Sequence, residues 1–451
     1  MMMAFTTVLF TLVGFNVQGM GPDHTRDALL TEKDAVFLLE PEVVAASGAN
    51  RLRWSPDGTF LLVQRTQLTG PHPFTLLAQG KPFDRQIAGE HQFLIYSAPS
   101  RKTVTSLRLP MSSTIREIAW LPGSSKALVL ADEVIQRDPA GPADVEQNLY
   151  WVTASGESRR LARSADNEML QLFVSPVRPM AALARTKLIR RKGAPEEETQ
   201  TLQFFDGEGR ALGNVGFTDP TDELVWGGDG SVYATVRRVE NRKLVTDWFA
   251  LSPTRGTRQK LDRWSPPAPK KAPDTEFVVE SVKVPSAAKE MPPVEAVVMA
   301  QRAKPQTFVF VSTDAGLGAL SPNETSVAYV HRGVAMVRQV TRLPKQLYIE
   351  MKSAADRAVA MSNSKQAALA LIMNAADHDD TLVASNGDWR SAIGPYLKND
   401  QILNGFVYTY GGGPMSAIEN PAETVVGYTP GPGGRAVAYA DGHVKWIPDK
   451  A

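Results

Sequence analysis

Between about residue 35 and residue 345, short apolar runs alternate with clusters of Pro, Gly, Asp and Asn, and helical periodicity is nearly absent. One unit recurs: an aromatic or apolar residue, a turn cluster, then an alternating apolar strand. It reads Arg53-Trp54-Ser55-Pro56-Asp57-Gly58 before Phe60-Leu61-Leu62-Val63, and Ala119-Trp120-Leu121-Pro122-Gly123 before Ala127-Leu128-Val129-Leu130. It returns as Phe173-Val174-Ser175-Pro176 before Met180-Ala181-Ala182-Leu183, and as Val225-Trp226-Gly227-Gly228-Asp229-Gly230 before Val232-Tyr233-Ala234-Thr235. A last copy is Leu320-Ser321-Pro322-Asn323 before Val327-Ala328-Tyr329-Val330.

Proline presets the turn dihedral, Asp or Asn caps the turn through its side chain, and Gly takes the positive-φ position, so each unit predicts a hairpin. Trp54 to Trp120 is 66 residues, Trp120 to Phe173 and Phe173 to Trp226 are 53 each, and Trp226 to Leu320 is 94, room for one degenerate unit. A period near 50 matches a four-stranded propeller blade better than a sandwich strand, and predicts about five to seven blades over 35–345. The rival reading of such turns is a sandwich or two smaller β domains.

The pattern then changes. Ala354, Ala358, Met361, Ala368, Leu371, Ile372 and Ala375 recur at helical spacing from about Leu347 to Asp377, predicting a helix of six or seven turns. Alternation around Asp441-Gly442 near the end predicts a hairpin with a two-residue turn. The chain therefore divides into a leading segment 1–22, a β region 35–345 and a smaller α+β region 346–451. Trp264 to Pro273 is Pro- and Lys-rich and reads as an extended loop, and the sign-reversing charge run Ile189 to Thr199 reads as a solvated hairpin tip.

Composition narrows the function classes. Lys plus Arg (49) nearly balances Asp plus Glu (48), which argues against a nucleic-acid partner. The absence of cysteine removes disulfides, thiolate metal sites and cysteine nucleophiles. Met1 to Pro22 is uncharged, with an apolar run from Phe5 to Phe15 and small residues at Val17-Gln18-Gly19, the order of a secretory signal. No Lys or Arg precedes the run, so an uncleaved interfacial anchor or a misplaced start is the rival reading. No other stretch approaches the length of a membrane span. The expectation is an extracytoplasmic protein, periplasmic or secreted.

Two resemblances add to this. The Trp54-to-Gly58 string matches the "W-S-P-D-G" motif of the WD40-like, TolB-type β-propellers of exported bacterial proteins, and the other units match it in part. Residues from about 353 to 448 resemble the soluble head of type II secretion pseudopilin-like proteins with the prepilin-type "H-x(9)-D-G" domain. The landmarks are Ser362 to Ala370, Asp377-His378-Asp379-Asp380, Trp389-Arg390, Pro395 to Gln401, Ser416 to Val425 and Tyr439-Ala440-Asp441-Gly442-His443-Val444-Lys445-Trp446. Asp441, Gly442, His443 and Trp446 are the residues this resemblance singles out. The motif's histidine, ten positions before Asp441, is Gly431 here, and no long apolar helix precedes Met351. The resemblance implies a small α+β head and its contact surface, not assembly into a pilus.

No G-x-S-x-G elbow, P-loop, G-x-G-x-x-G after a strand, or H-E-x-x-H occurs. Histidines 24, 72, 91, 331, 378 and 443 stand singly. Asp377, Asp379 and Asp380 around His378 are the hard-oxygen donors that hold calcium, although the glycine and terminal Glu of an EF-hand loop are missing; the rival reading is a solvated helix end. The sequence thus points to an exported, non-enzymatic binding or scaffold protein. Its propeller would take a protein partner, an envelope or secretion component, or a glycan, and its head would make a second contact. The rival is a propeller glycan lyase or hydrolase with carboxylates in its central funnel. No organic cofactor is expected.

Overall fold

The computed structural model describes residues 28–68, 89–135, 144–189, 197–240, 243–263, 275–284 and 293–449. The leading segment 1–22, the 264–273 loop, His24, His72 and most of the 189–199 charge run lie outside these residues. The chain forms two compact units: Phe37–Thr341 makes up most of one, and Leu30–Val36 with the chain from Arg342 onward makes up most of the other.

The first unit is built from antiparallel sheets in chain order. Four-stranded sheets span 49–110, 114–163, 168–217 and 223–261, and a three-stranded sheet spans 277–313, in the long interval where one degenerate repeat was expected. A sixth sheet takes strands from both ends of the unit: β1 (Glu42–Ala45) pairs with β4 (Val334–Pro344), which pairs with β3 (Ser326–His331), which pairs with β2 (Ala315–Leu320).

The recurrent turn joins first to second strand. Ser55 donates its backbone N–H to the Phe60 carbonyl, and its buried hydroxyl donates to Asp57 Oδ1 (2.5 Å) while accepting from the Phe60 amide (2.9 Å). Ser175 and Ser321, equally buried, repeat the arrangement, the latter accepting from the amides of Thr325 and Ser326. Where Leu121 and Gly227 replace the serine, the backbone bond is kept and other side chains brace the turn: Ser124 donates to Leu121 O, and Asp229 accepts from the Ser231 amide and hydroxyl. Gly58 sits at φ +72°, and a Cβ there would fall 2.4 Å from the Asn323 side chain of the sixth sheet's turn.

The sheets bury apolar side chains between them where they lie against their neighbours. Leu62, Phe93 and Ile95 of the first sheet pack on Trp120, Val129 and Val152 of the second. Leu149 and Trp151 meet Leu172 and Leu183 of the third, and Phe204 and Val215 of the third meet Trp226 and Val236 of the fourth. Val44, Ala328 and Val337 of the sixth sheet meet Leu61 and Tyr96 of the first. Indole N–H groups interlock three of these seams: Trp54 Nε1 donates to Ala319 O (3.0 Å), Trp120 Nε1 to Arg53 O (2.9 Å) and Trp151 Nε1 to Gly207 O (3.1 Å). Trp226 occupies the place of Trp54 and Trp120 in the fourth sheet, but its buried Nε1 has no acceptor among the described residues.

Arg338 secures the closing strand. Its guanidinium donates to the carbonyls of Leu39 (2.6 Å), Val311 (3.0 Å) and Leu38 (3.3 Å). Glu42 of β1 is held by Arg101 (2.9 Å) and by the Tyr96 hydroxyl (3.0 Å) of the first sheet. Burial, reinforced by that carboxylate, pushes the Tyr96 phenol up to about 12.

The second unit centres on α1 (Lys345–Ala376), a helix of 32 residues and so nearly nine turns, longer than the spacing predicted. It packs on a four-stranded sheet ordered β5 (Val407–Tyr408), β6 (Val425–Gly431), β7 (Gly434–Tyr439) and β8 (Val444–Pro448). A short helix, α2 (Trp389–Ile393), starts at Asp388, whose carboxylate accepts from the Ser391 amide. Ala367, Leu371 and Ala375 of α1 share the core with Ile393, Phe406, Tyr408 and Ala438. Ser364, fully buried, donates to Thr429 Oγ1 (2.8 Å) and lies 3.1 Å from Ala436 O, which fixes the helix on the sheet. The predicted periodic stripe divides: Ala368, Leu371 and Ala375 are buried, whereas Ala354, Ala358 and Met361 are exposed.

The unequal indoles make a direct test. Trp54→Phe removes the indole bond to the Ala319 carbonyl and is expected to cost about 0.5–1.5 kcal/mol more than Trp226→Phe, which removes a donor without an acceptor among the described residues. Urea unfolding of both variants measures the difference, and equal losses would refute the interlock.

Candidate interaction site

The residues singled out by the sequence form the last corner of the second unit. Asp441 Oδ1 accepts from the His443 amide (3.0 Å) and meets His443 Nδ1 (2.6 Å), and the imidazole stacks on Tyr439 at 4.3 Å. These contacts, the backbone amide foremost, hold the Asp441 carboxyl below its usual range. Gly442 lies at φ +84°, its carbonyl accepts from Lys365 Nζ (2.6 Å), and a Cβ there would approach Ile372 at 3.0 Å. The corner is thereby pinned to α1.

The turn is wider than the two residues predicted. The Tyr439 amide donates to His443 O and the Gly442 amide to Tyr439 O, because only Gly442 takes a positive φ whereas a type I′ turn needs two such residues. Trp446 is half-buried against Gly431, whose added Cβ would lie 2.8 Å from the indole, and under the Arg357 guanidinium at 5.7 Å. Gly431 is therefore a packing glycine.

The acidic knot does not assemble. Asp377 ends α1 and accepts from the Tyr396 hydroxyl (2.7 Å), while Asp379 and Asp380 each take φ near +52° in the following turn. Among the described residues no three His, Asp or Glu side chains gather into a group fit for a metal ion. His378 caps the helix end through Asn374 O (2.7 Å).

In the first unit several polar side chains staple one sheet's third strand to the chain that enters the next sheet. His91 reaches Ser113 O, the Gln147 side-chain carbonyl accepts from the Leu170 amide, and that of Gln200 accepts from the Thr221 amide and hydroxyl. His331 Nδ1 sits within reach of Ser312 Oγ (3.2 Å) and Thr313 O (3.1 Å). That hydroxyl is itself placed to donate to Thr313 O, so the pair is a turn clasp.

The end of this unit opposite the recurrent turns is where unsatisfied surface collects. Asp314 and Arg332, both in the left-handed region, form an ion pair beside exposed Glu295, in a cleft of about 270 Å³ also lined by Gly316, Leu317 and Val330. The second-to-third-strand hairpins run out to the same end, past the first and fourth strands of their sheets. Val239 (73% exposed) faces Leu244 (68%) on one ribbon, and Val134 (46%) faces Val145 (63%) on another. Sequence alternation finds such positions only as strand residues; that their partners end short is a property of the sheets. No helix among the described residues is long and apolar enough to cross a membrane.

No family model and no curated protein matches this chain. Similar solved structures include the tricorn protease, at 11% identity and TM-score 0.28, covering 70% of this chain and 34% of that one. The Pyrococcus horikoshii acylaminoacyl peptidase shares 11% identity at TM-score 0.28, covering 63% and 42% respectively. The mitotic checkpoint complex shares 12% at TM-score 0.28, covering 72% and 96%. The chain spans about a third of the first and less than half of the second, and likeness at this level assigns no activity.

Two variants test the electrostatic and conformational account. Burial raises the Glu117 carboxyl above its ordinary range, so the fold disfavours its charged form, and stability falls as pH rises through the ordinary carboxylate value toward the raised one. Glu117→Gln is expected to raise the urea midpoint at neutral pH and to leave it unchanged near about pH 3; the same gain at both pH values would refute the assignment. Gly442→Ala is expected to destabilise the second unit by about 1–3 kcal/mol in thermal unfolding.

Proposed function

We propose that the chain is an exported, non-enzymatic binding protein whose first unit is a six-bladed β-propeller and whose second is a pseudopilin-like head. The blade reading is supported by sheets laid face to face in chain order, with the first unit's N-terminal strand completing the last sheet. The head reading is supported by a helix lying on a small antiparallel sheet and by the Asp441-Gly442 corner pinned to it.

The observation that carries the binding role is the pair of protruding ribbons with apolar side chains opposite one another in water. Exposed Val239–Leu244 and Val134–Val145 pairs contribute nothing to the core and are what a protein partner covers. The Glu295 carboxylate and the Asp314–Arg332 pair offer polar contacts at the same end of the unit. The partner class is an envelope or secretion protein, with the head making a second contact to such components.

The full chain, immobilised, is expected to capture a specific protein from envelope extract, and Val239→Asp with Leu244→Asp to reduce that capture at least tenfold without changing the unfolding midpoint. Undiminished capture by the double variant, or turnover of a glycan by the pure protein, would remove this reading in favour of a propeller enzyme.

A further inference from the structure

Helix α1 carries more apolar surface than its own unit uses. All of its buried residues lie at Ala360 or beyond, so the first fifteen residues, 345–359, bury nothing fully. Yet Leu347, Met351, Ala354, Ala358 and Met361 recur at alternating steps of four and three, the repeat of a helix–helix seam. Leu347 is 43% and Met361 37% exposed, Ala354 and Ala358 are exposed, and Met351 is half-buried. Between them lie exposed Glu350, Lys352 and Arg357, with Lys352 paired to Asp356 at 3.9 Å, while Ile349 and Val359 add exposed apolar surface beside the stripe.

We infer that this stripe is the docking surface for a second copy of the chain, the two α1 helices crossing antiparallel through residues 347–358. Two features select that occupant. The first is volume. Read in opposite directions, Leu347 falls against Ala358 of the second copy and Met351 against its Ala354, large against small in every layer. A parallel pairing would instead stack Leu on Leu and Ala on Ala, leaving alternate layers crowded and empty.

The second feature is charge. Glu350 and Arg357 flank the stripe seven residues apart on one side, and the antiparallel register sets each beside its opposite in the other copy. Arg357 lies over the Trp446 ring, which holds the guanidinium on that side of the helix. A two-fold axis near residues 352–353 makes the surface self-complementary, as a closed dimer requires. Beyond the seam Lys365 turns its ammonium to Gly442 O, which ends the apolar run.

Sedimentation equilibrium of the full chain from about 1 to 100 μM is expected to show a monomer–dimer equilibrium within the range of weak assemblies. Met351→Glu should weaken it at least tenfold. Glu350→Arg should do the same, and Glu350→Arg with Arg357→Glu should restore it, while thermal unfolding shows each variant folded. Because the chain has no cysteine, disulfides report register directly. Copies carrying Leu347→Cys should cross-link to copies carrying Ala358→Cys, and Leu347→Cys should not cross-link to itself. A chain that stays monomeric to 100 μM, a dimer indifferent to Met351→Glu, or self-linked Leu347→Cys would each overturn the proposal.

Discussion

A β-sheet with apolar side chains on both faces cannot stand at the end of a row, because its outer face would meet water. In the first unit the sixth sheet settles this by packing back on the first, Val44, Ala328 and Val337 against Leu61 and Tyr96. The contact depends on β1, four residues from the front of the unit that pair with a strand nearly three hundred positions later. Arg338 makes that pairing more than a ladder. Three carbonyls around a buried guanidinium replace the water it gives up, and a lysine's point charge could not span them. Trp54, donating to Ala319 O, clasps the first sheet to the sixth.

The local parts of this arrangement were legible in the sequence, and the non-local parts were not. Ser55, Asp57 and Gly58 announce their turn because all its hydrogen bonds lie within six residues. The staples from His91, Gln147 and Gln200 leave no such mark, since their targets lie some twenty residues ahead and any polar side chain in a strand would look the same. Helical spacing exposed α1, but periodicity reports that a stripe exists and not what it faces. Ala354 and Leu371 belong to one pattern in the sequence and to opposite environments in the fold. Asp377, Asp379 and Asp380 cluster in the chain, and only the structure shows that Asp377 ends α1 while Asp379 and Asp380 sit in a left-handed turn.

The two units solve the problem of close approach differently. In the first, bulky Phe, Leu and Trp side chains fill the space between sheets. In the second, Gly431, Ala436 and Ala438 face Ala360, Ser364 and Ala367, so the helix sits low on the sheet and one buried hydroxyl can bridge the layers. Small residues give little burial each, which makes the Ser364 bridge and the Lys365–Gly442 bond a larger share of what holds that unit together.

The strand β1 that completes the last sheet emerges from the ribosome before the five other sheets of the unit. During synthesis β1 must wait for β4, so the closing pair is the most expensive in loop entropy and the last to form. Until then the newly made sheets form an open stack with a bare face at each end, a surface that invites neighbouring chains. The fold's stability and its exposure to misassembly therefore have one origin: a single sheet shared between the beginning and the end of the unit.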